Sequence, residues 1–159
     1  MAVTDSRVKD GVLKLGAAPE FDVSCQVVNI RVNSSYDDDG DAQETLCGDL
    51  LAAGRKLSGR SLAGTVIQDF TAATATSFTE YVWDHDLEEV PFTYTPNAAA
   101  GPTLSGTVRL EVPGETYGGD VNSRVTSDFE WQCTAEVVRT PHAGAAAASS
   151  SSSTSTPAA

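Results

Sequence analysis

Four groups of residues in this sequence could do chemistry: the acidic run Tyr36-Asp37-Asp38-Asp39-Gly40-Asp41, the histidines His85 and His142, the adjacent carboxylates Glu88-Glu89, and the cysteines Cys25, Cys47 and Cys133. Several carboxylate oxygens in a short span are what a hard cation requires. An EF-hand loop, however, needs glycine at its sixth position and a bidentate glutamate at its twelfth. Counted from Asp37, those positions hold Ala42 and Gly48, so the run reads as a solvated loop or a subunit contact and no metal is expected. His85 stands between Asp84 and Asp86 on an apolar helical face, and His142 adjoins an Ala/Ser tract. Neither belongs to a GxSxG or Cys–His pattern that would activate a nucleophile, and His85 reads as a packed or capping residue. Neighbouring carboxylates such as Glu88 and Glu89 rarely converge on one glycosidic bond. Gly118-Gly119-Asp120 lacks the following helix and lysine of a phosphate cradle and reads as a turn. The expectation is a chain with no catalytic residue and no cofactor.

The cysteines lack CxxC spacing and are odd in number, which points to free thiols in a reducing compartment. Cys25 and Cys133 fall on apolar parities and read as small core residues, as do Phe129 and Trp131. The formal net charge is −12, with a pI near 4.3, and the ten basic residues are scattered singly apart from Arg55-Lys56. No basic stripe exists that could neutralise consecutive phosphates, so sequence-specific or tight nucleic-acid binding is not expected. The N-terminus has no apolar signal region, and no apolar run approaches the roughly 20 residues of a membrane span. A soluble chain made in a cytoplasm, without membrane contact, is the expectation.

The elements that would position these groups are mainly strands. Valine, threonine, glycine and serine are frequent and lysine occurs at three positions, a balance that favours β structure. Residues 1–10 read as a flexible segment, 11–140 as one domain, and 141–159 as an Ala/Ser-rich disordered tail. Gly11 to Leu15 reads as a first strand and Phe21 to Val32 as a second. In the second, Val23, Cys25 and Val27 share one parity and Val28, Ile30 and Val32 the other, so either both faces are covered or a bulge between Val27 and Val28 swaps them. Asn33 to Lys56 reads as a long acidic loop with a weakly helical stretch over 44–54, and Leu57 to Phe70 as a strand. Ser77-Phe78-Thr79-Glu80 is a capping box that starts a short helix. A strand with Pro91 at an edge or end follows over 90–96. Thr103–Pro113 and Ser127–Val138 alternate apolar with polar residues, and Gly114 to Thr126 between them suits a hairpin with a long tip. The plan fits a mainly β, two-sheet sandwich or partly closed barrel with one short flanking helix.

Over residues 11–140 the sequence resembles the major tail subunits of siphophages infecting actinobacteria. The resemblance is carried by the early strand, the acidic loop followed by Glu44-Thr45-Leu46-Cys47-Gly48-Asp49, and Gly59-Arg60-Ser61-Leu62-Ala63-Gly64-Thr65-Val66-Ile67-Gln68-Asp69-Phe70. It continues through Trp83-Asp84-His85, Val90-Pro91-Phe92-Thr93-Tyr94-Thr95-Pro96-Asn97, Gly118-Gly119-Asp120-Val121 and Thr126-Ser127-Asp128-Phe129-Glu130-Trp131. It implies the fold shared by phage tail tube and type VI secretion tube proteins, with hexameric rings stacked around a lumen. It further implies location in the virion tail after assembly in the host cytoplasm. The implied partners are further copies of the chain, a tape-measure protein, a tail terminator and baseplate or tip proteins. Genomic DNA would pass through without specific binding.

On that reading Tyr36, Asp37, Asp38, Asp39 and Asp41, with Tyr117 and Asp120, are candidates for contacts between subunits. Arg109, Glu111, Asp128, Glu130 and Glu136 are candidates for lining the lumen, where carboxylates would repel phosphates and let a duplex slide. Two other classes fit the same strands. A carbohydrate-binding or adhesin-like sandwich would use the exposed Trp83 and Tyr36, and a small acidic enzyme would need a concave site the sequence does not announce.

Overall fold

The computed structural model describes residues 8–48, 50–51, 54–70 and 76–142, the pair 50–51 through its backbone. Ten strands and one helix follow in order: β1 (Val12–Leu15), β2 (Phe21–Asp22), β3 (Val27–Asp39), β4 (Gln43–Glu44), β5 (Leu50–Leu51), β6 (Gly54–Ile67), α1 (Phe78–Asp84), β7 (Glu89–Thr95), β8 (Thr103–Arg109), β9 (Thr126–Gln132) and β10 (Val138–Thr140). They form a five-stranded sheet in the order β10-β8-β7-β1-β2, a three-stranded sheet in the order β3-β6-β9, and the small pair β4-β5. Every pairing is antiparallel.

The two larger sheets face one another as a sandwich that does not close into a barrel. Leu13, Leu15, Val90, Phe92, Tyr94 and Val108 of the five-stranded sheet meet Leu62, Val66, Phe129 and Trp131 of the three-stranded one. Alternation explains the inward faces: Ser127, Phe129 and Trp131 are buried while Thr126, Asp128, Glu130 and Gln132 are exposed. Trp131 is fully buried and its indole N–H donates to the Glu111 carbonyl at 2.9 Å, so its polar atom is satisfied. Helix α1 enters the same core through Phe78, whose ring lies 5.5 Å from Trp131 and 5.4 Å from Phe129.

The helix begins where the capping pattern places it. Ser77 is the N-cap, its hydroxyl accepting the Glu80 amide and donating to the Asp69 carbonyl at 2.8 Å. Gln26, distant in sequence, holds the same end from the sandwich side. Its carbonyl accepts the Phe78 amide at 2.7 Å and its amide donates to Thr76 O at 2.5 Å. The other half of the expected box is not formed, because the Glu80 carboxylate accepts a bond from the Tyr117 hydroxyl instead. Pro91 is the third residue of an interior strand and lies beyond the β1 ladder, where its carbonyl accepts from Gly16 at 2.8 Å; it is near an end, as expected, and not at an edge.

Several expectations are corrected. The segment Phe21–Val32 is not one strand: a turn closed by Gln26 N–H to Val23 O interrupts it, burying Val23 and leaving Cys25 exposed rather than in the core. The bulge is present, with Val28 as the extra residue between the Val27↔Val66 and Asn29↔Thr65 pairs, and it turns Ile30 and Val32 toward the core. The acidic stretch Asn33–Lys56 is largely strand, Asp37, Asp38 and Asp39 pairing with Lys56, Arg55 and Gly54, and the described residues of the 44–54 stretch hold Glu44 of β4, a turn over Thr45–Gly48 and β5, with no helix among them. The strand begun at Thr103 ends at Arg109, short of Pro113. Finally, β8 and β9 are not a hairpin: β8 lies between β7 and β10, and β9 lies beside β6. Two one-sided strands can satisfy their apolar faces by stacking across a core as well as by lying side by side, and alternation does not distinguish the two. The strand read as Ser127–Val138 breaks at Cys133, which bridges to Val108, and the chain continues as β10 in the opposite sheet.

Gly64 sits where these constraints converge. A Cβ there would lie 2.2 Å from the Asn29 carbonyl oxygen at the bulge and 3.0 Å from the Phe129 ring. Gly64→Ala is expected to destabilise the fold by roughly 1–3 kcal/mol through overpacking, seen as a lower urea midpoint with an unchanged slope.

Candidate assembly surfaces

Beyond Arg60, whose carbonyl accepts the Cys133 amide at 2.9 Å, β3 and β6 continue as a two-stranded ribbon from Ser35↔Gly59 to Asp39↔Gly54. From Ser34 to Asp39 and from Gly54 to Ser58 every residue is exposed, so among the described residues nothing covers either face of this part of the ribbon. Residues directly opposite share a face, so Tyr36 and Leu57 stand with Asp38 and Arg55, while Asp37 and Lys56 take the other side. The Arg55 guanidinium lies 3.7 Å from the Asp38 carboxylate and 5.8 Å from the centre of the Tyr36 ring. Alternation sends adjacent aspartates to opposite faces, which prevents them from closing around an ion. Among the described residues no group of histidines, cysteines and carboxylates is arranged to hold a metal. Asp41 is exposed past the strand end, and Leu46, in the turn closed by Gly48 N–H to Thr45 O, is fully exposed. Such a ribbon has little to hold it: its ion pair is solvated and worth at most about 1 kcal/mol, and isolated two-stranded ribbons are marginal in water.

The outer face of the three-stranded sheet carries Arg31, Ala63, Thr65, Asp128 and Glu130. Thr65 donates to the Asp128 carboxylate at 2.5 Å and Ser61 to Glu130 at 2.8 Å, which fixes both acids in place. Asp128 and Glu130 are thus brought together, whereas Arg109, Glu111 and Glu136 are not with them. Arg109 pairs with Glu89 at 3.6 Å at the end of the β7-β8 ladder, Glu111 is exposed beyond β8, and Glu136 is exposed between β9 and β10. Arg31, which the sequence did not single out, joins the two acids on this face.

A third surface is aromatic. The rings of Phe70 and Tyr117 stack at 5.6 Å and Trp83 meets Tyr117 edge-on at 5.6 Å, while all three remain about half exposed. Tyr117 is held there in a left-handed backbone conformation (φ 57°) by Gln68, whose carbonyl accepts its amide at 2.8 Å. Gln68 is itself buried and donates to Ser127 at 2.5 Å and to the Glu115 carbonyl at 3.1 Å, and Ser127 also donates to that carbonyl. The hydrogen bond to Glu80, with burial and the negative charges of Glu80 and Asp84 adding to it, pushes the Tyr117 phenol up to about 12. Asp120 is exposed in the same connection and its carbonyl accepts the Ser123 amide.

The histidines and cysteines have different surroundings. His85 is the C-cap, stacked on Tyr81 at 4.3 Å with Nδ1 2.8 Å from the Tyr81 carbonyl, and His142 is exposed. Burial pushes the Cys133 thiol up, with Arg60 opposing, which disfavours the thiolate. Cys25, Cys47 and Cys133 are all free.

No protein-family model matches the chain, and no curated protein matches it. Among solved structures it is similar to a chain of a structure described as the virion of a native gene transfer agent (GTA) particle. The identity is 17% and the TM-score 0.54, over 86% of this chain and 99% of that one. The likeness is one of fold.

The Tyr117–Glu80 bond gives a readable titration. A phenol raised from 10 to about 12 in the folded state adds stability that is complete below pH 10 and lost as pH climbs toward 12. Glu80→Gln is expected to return this tyrosine toward its ordinary value in an ultraviolet titration, narrowing that window. Gln68→Leu is expected to leave the core folded but to speed amide exchange across residues 114–126 at least about tenfold, in line with the 1–3 kcal/mol cost of orphaned buried polar groups.

Proposed function

We propose that this chain is a structural virion protein that polymerises, as stacked hexameric rings, into the tail tube of a long-tailed phage or phage-like particle. The observation that carries the reading is the naked β3-β6 ribbon, continuous with an edge strand. β3 is the outermost strand of its sheet, and among the described residues nothing covers either face of its ribbon half. An edge and ribbon of that length are open to pairing with another chain. The fold likeness to a chain of a virion structure supports the same reading, as does the resemblance of the sequence to siphophage tail subunits.

The lumen is assigned to the outer face of the three-stranded sheet. On this reading Asp128 and Glu130, hydrogen-bonded by Thr65 and Ser61, would repeat around the bore of a closed ring. Carboxylates held by hydrogen bonds need little reorganisation to repel phosphates, and the excess of acids over bases in the whole chain acts in the same sense. DNA would slide through such a bore without binding. Tape-measure, terminator and baseplate or tip proteins are the partners this role requires, with assembly in the host cytoplasm, and no step of it is enzymatic.

The test is microscopy of the concentrated protein. Tubes of uniform bore are expected, forming more readily as salt screens the mutual repulsion of the subunits; deletion of Asp37–Asp41 is expected to abolish them. Normal tubes from that deletion would remove the ribbon from the assembly. A second reading, a carbohydrate-binding sandwich, is favoured by the half-exposed Phe70, Trp83 and Tyr117 rings, and glycan-array binding by a protein that forms no tubes would replace the first.

A further inference from the structure

The aromatic surface and the ribbon lie at opposite ends of the same strand. Gly54 opens β6 inside the ribbon, and Phe70 stands three residues beyond Ile67, where β6 closes. At about 3.3 Å per residue the two ends are roughly 40–45 Å apart, so the ribbon cannot reach the patch of its own chain. Their chemistry is nevertheless complementary. The patch offers three half-exposed rings beside the Glu80 and Asp84 carboxylates, whose charge is felt at the Tyr117 phenol. One face of the ribbon offers the exposed ring of Tyr36, the exposed side chain of Leu57, and the Arg55 guanidinium. Arg55-Lys56 is also the one place in the sequence where two cations adjoin.

We propose that the Phe70–Trp83–Tyr117 patch is the seat for the ribbon of a second copy of this chain, a head-to-tail contact running along the strand direction. The inference rests on the self-assembly reading and specifies which surfaces meet. Tyr36 and Leu57 cover the rings, and Arg55, whose bond to Asp38 is long and solvated, turns to Glu80 and Asp84, where burial of the contact strengthens the pairing. A contact between two different surfaces of one protein does not exhaust itself in a dimer: it repeats with each added copy. The Gln68–Ser127 network gives the seat a fixed shape before the ribbon arrives, which lowers the ordering cost of docking.

The experiment places a photoreactive benzoylphenylalanine at position 57 of the full chain and irradiates an equal mixture of unlabelled and 15N-labelled protein. Cross-links between differently labelled copies, mapped from position 57 to residues 68–70, 80–84 or 115–118, are the expected result. In parallel, Asp84→Arg and Trp83→Ala are each expected to lower the pelletable polymer about tenfold, as for a central interface residue. Asp84→Arg puts a cation at the end of α1, where the helix favours it, so its effect is not one of misfolding; an unchanged thermal melt checks this. Polymers that cross-link elsewhere, or that ignore both substitutions, overturn the seat and leave self-assembly standing. A protein that stays monomeric at every concentration and gives no cross-links between copies overturns both. Quenching of Trp83 fluorescence by oligosaccharides without polymer formation assigns the patch to a sugar and overturns the seat.

Discussion

β6 runs for fourteen residues, and its two neighbours use different parts of it. β3 follows it along nearly its whole length, from Val66 down to Gly54, whereas β9 accompanies only the half from Ser61 to Ile67. The covered half has Leu62 and Val66 facing a second sheet and behaves as the centre of a sandwich. Without that cover, the other half can persist only on ladder hydrogen bonds and cross-strand pairs, which contribute little each in water. Every surface considered for assembly is arranged around this mismatch: the ribbon at one end of β6, the acidic face beside its middle, and the aromatic patch past its other end.

The covered half is held together by contacts that cross between elements. Phe78 of the helix, Phe129 and Trp131 form one aromatic group, so helix and sheet share a core. Two glutamines do the corresponding work for the backbone. Gln26 ties the turn before β3 to the start of α1, and Gln68 ties the end of β6 to the 114–126 connection. Both connect segments about fifty residues apart by satisfying amides that would otherwise be left without partners.

What could be read from the sequence was local. The alternation of Phe129 and Trp131 and the Ser77 cap each announce themselves within a few residues and are where they were expected, and the Val28 bulge is one of the two alternatives that the parity of its neighbours left open. Partner choice was not legible. The strands of Leu104–Val108 and Phe129–Trp131 show the same one-sided pattern whether they lie side by side or face each other. The acidic run concealed a strand because aspartates disfavour one, although Arg55-Lys56, set across the chain from Asp37-Asp38, carries the complementary charge that permits it. Phe70, Trp83 and Tyr117 come from three separate segments, and only folding gathers them. The roles of Gln26 and Gln68 have no sequence signature, since a polar residue at a strand end looks like any other until its partners are known.

The course of β6 also determines how a subunit would carry force. It is one extended run of covalent backbone, flanked by ladders whose hydrogen bonds run perpendicular to it, so tension applied between Gly54 and Phe70 passes along the backbone and leaves those bonds unloaded. A segment already extended has little length left to give. A filament pulled lengthwise through such strands would resist stretching as a stiff cable does, while remaining free to bend at the junctions between its links.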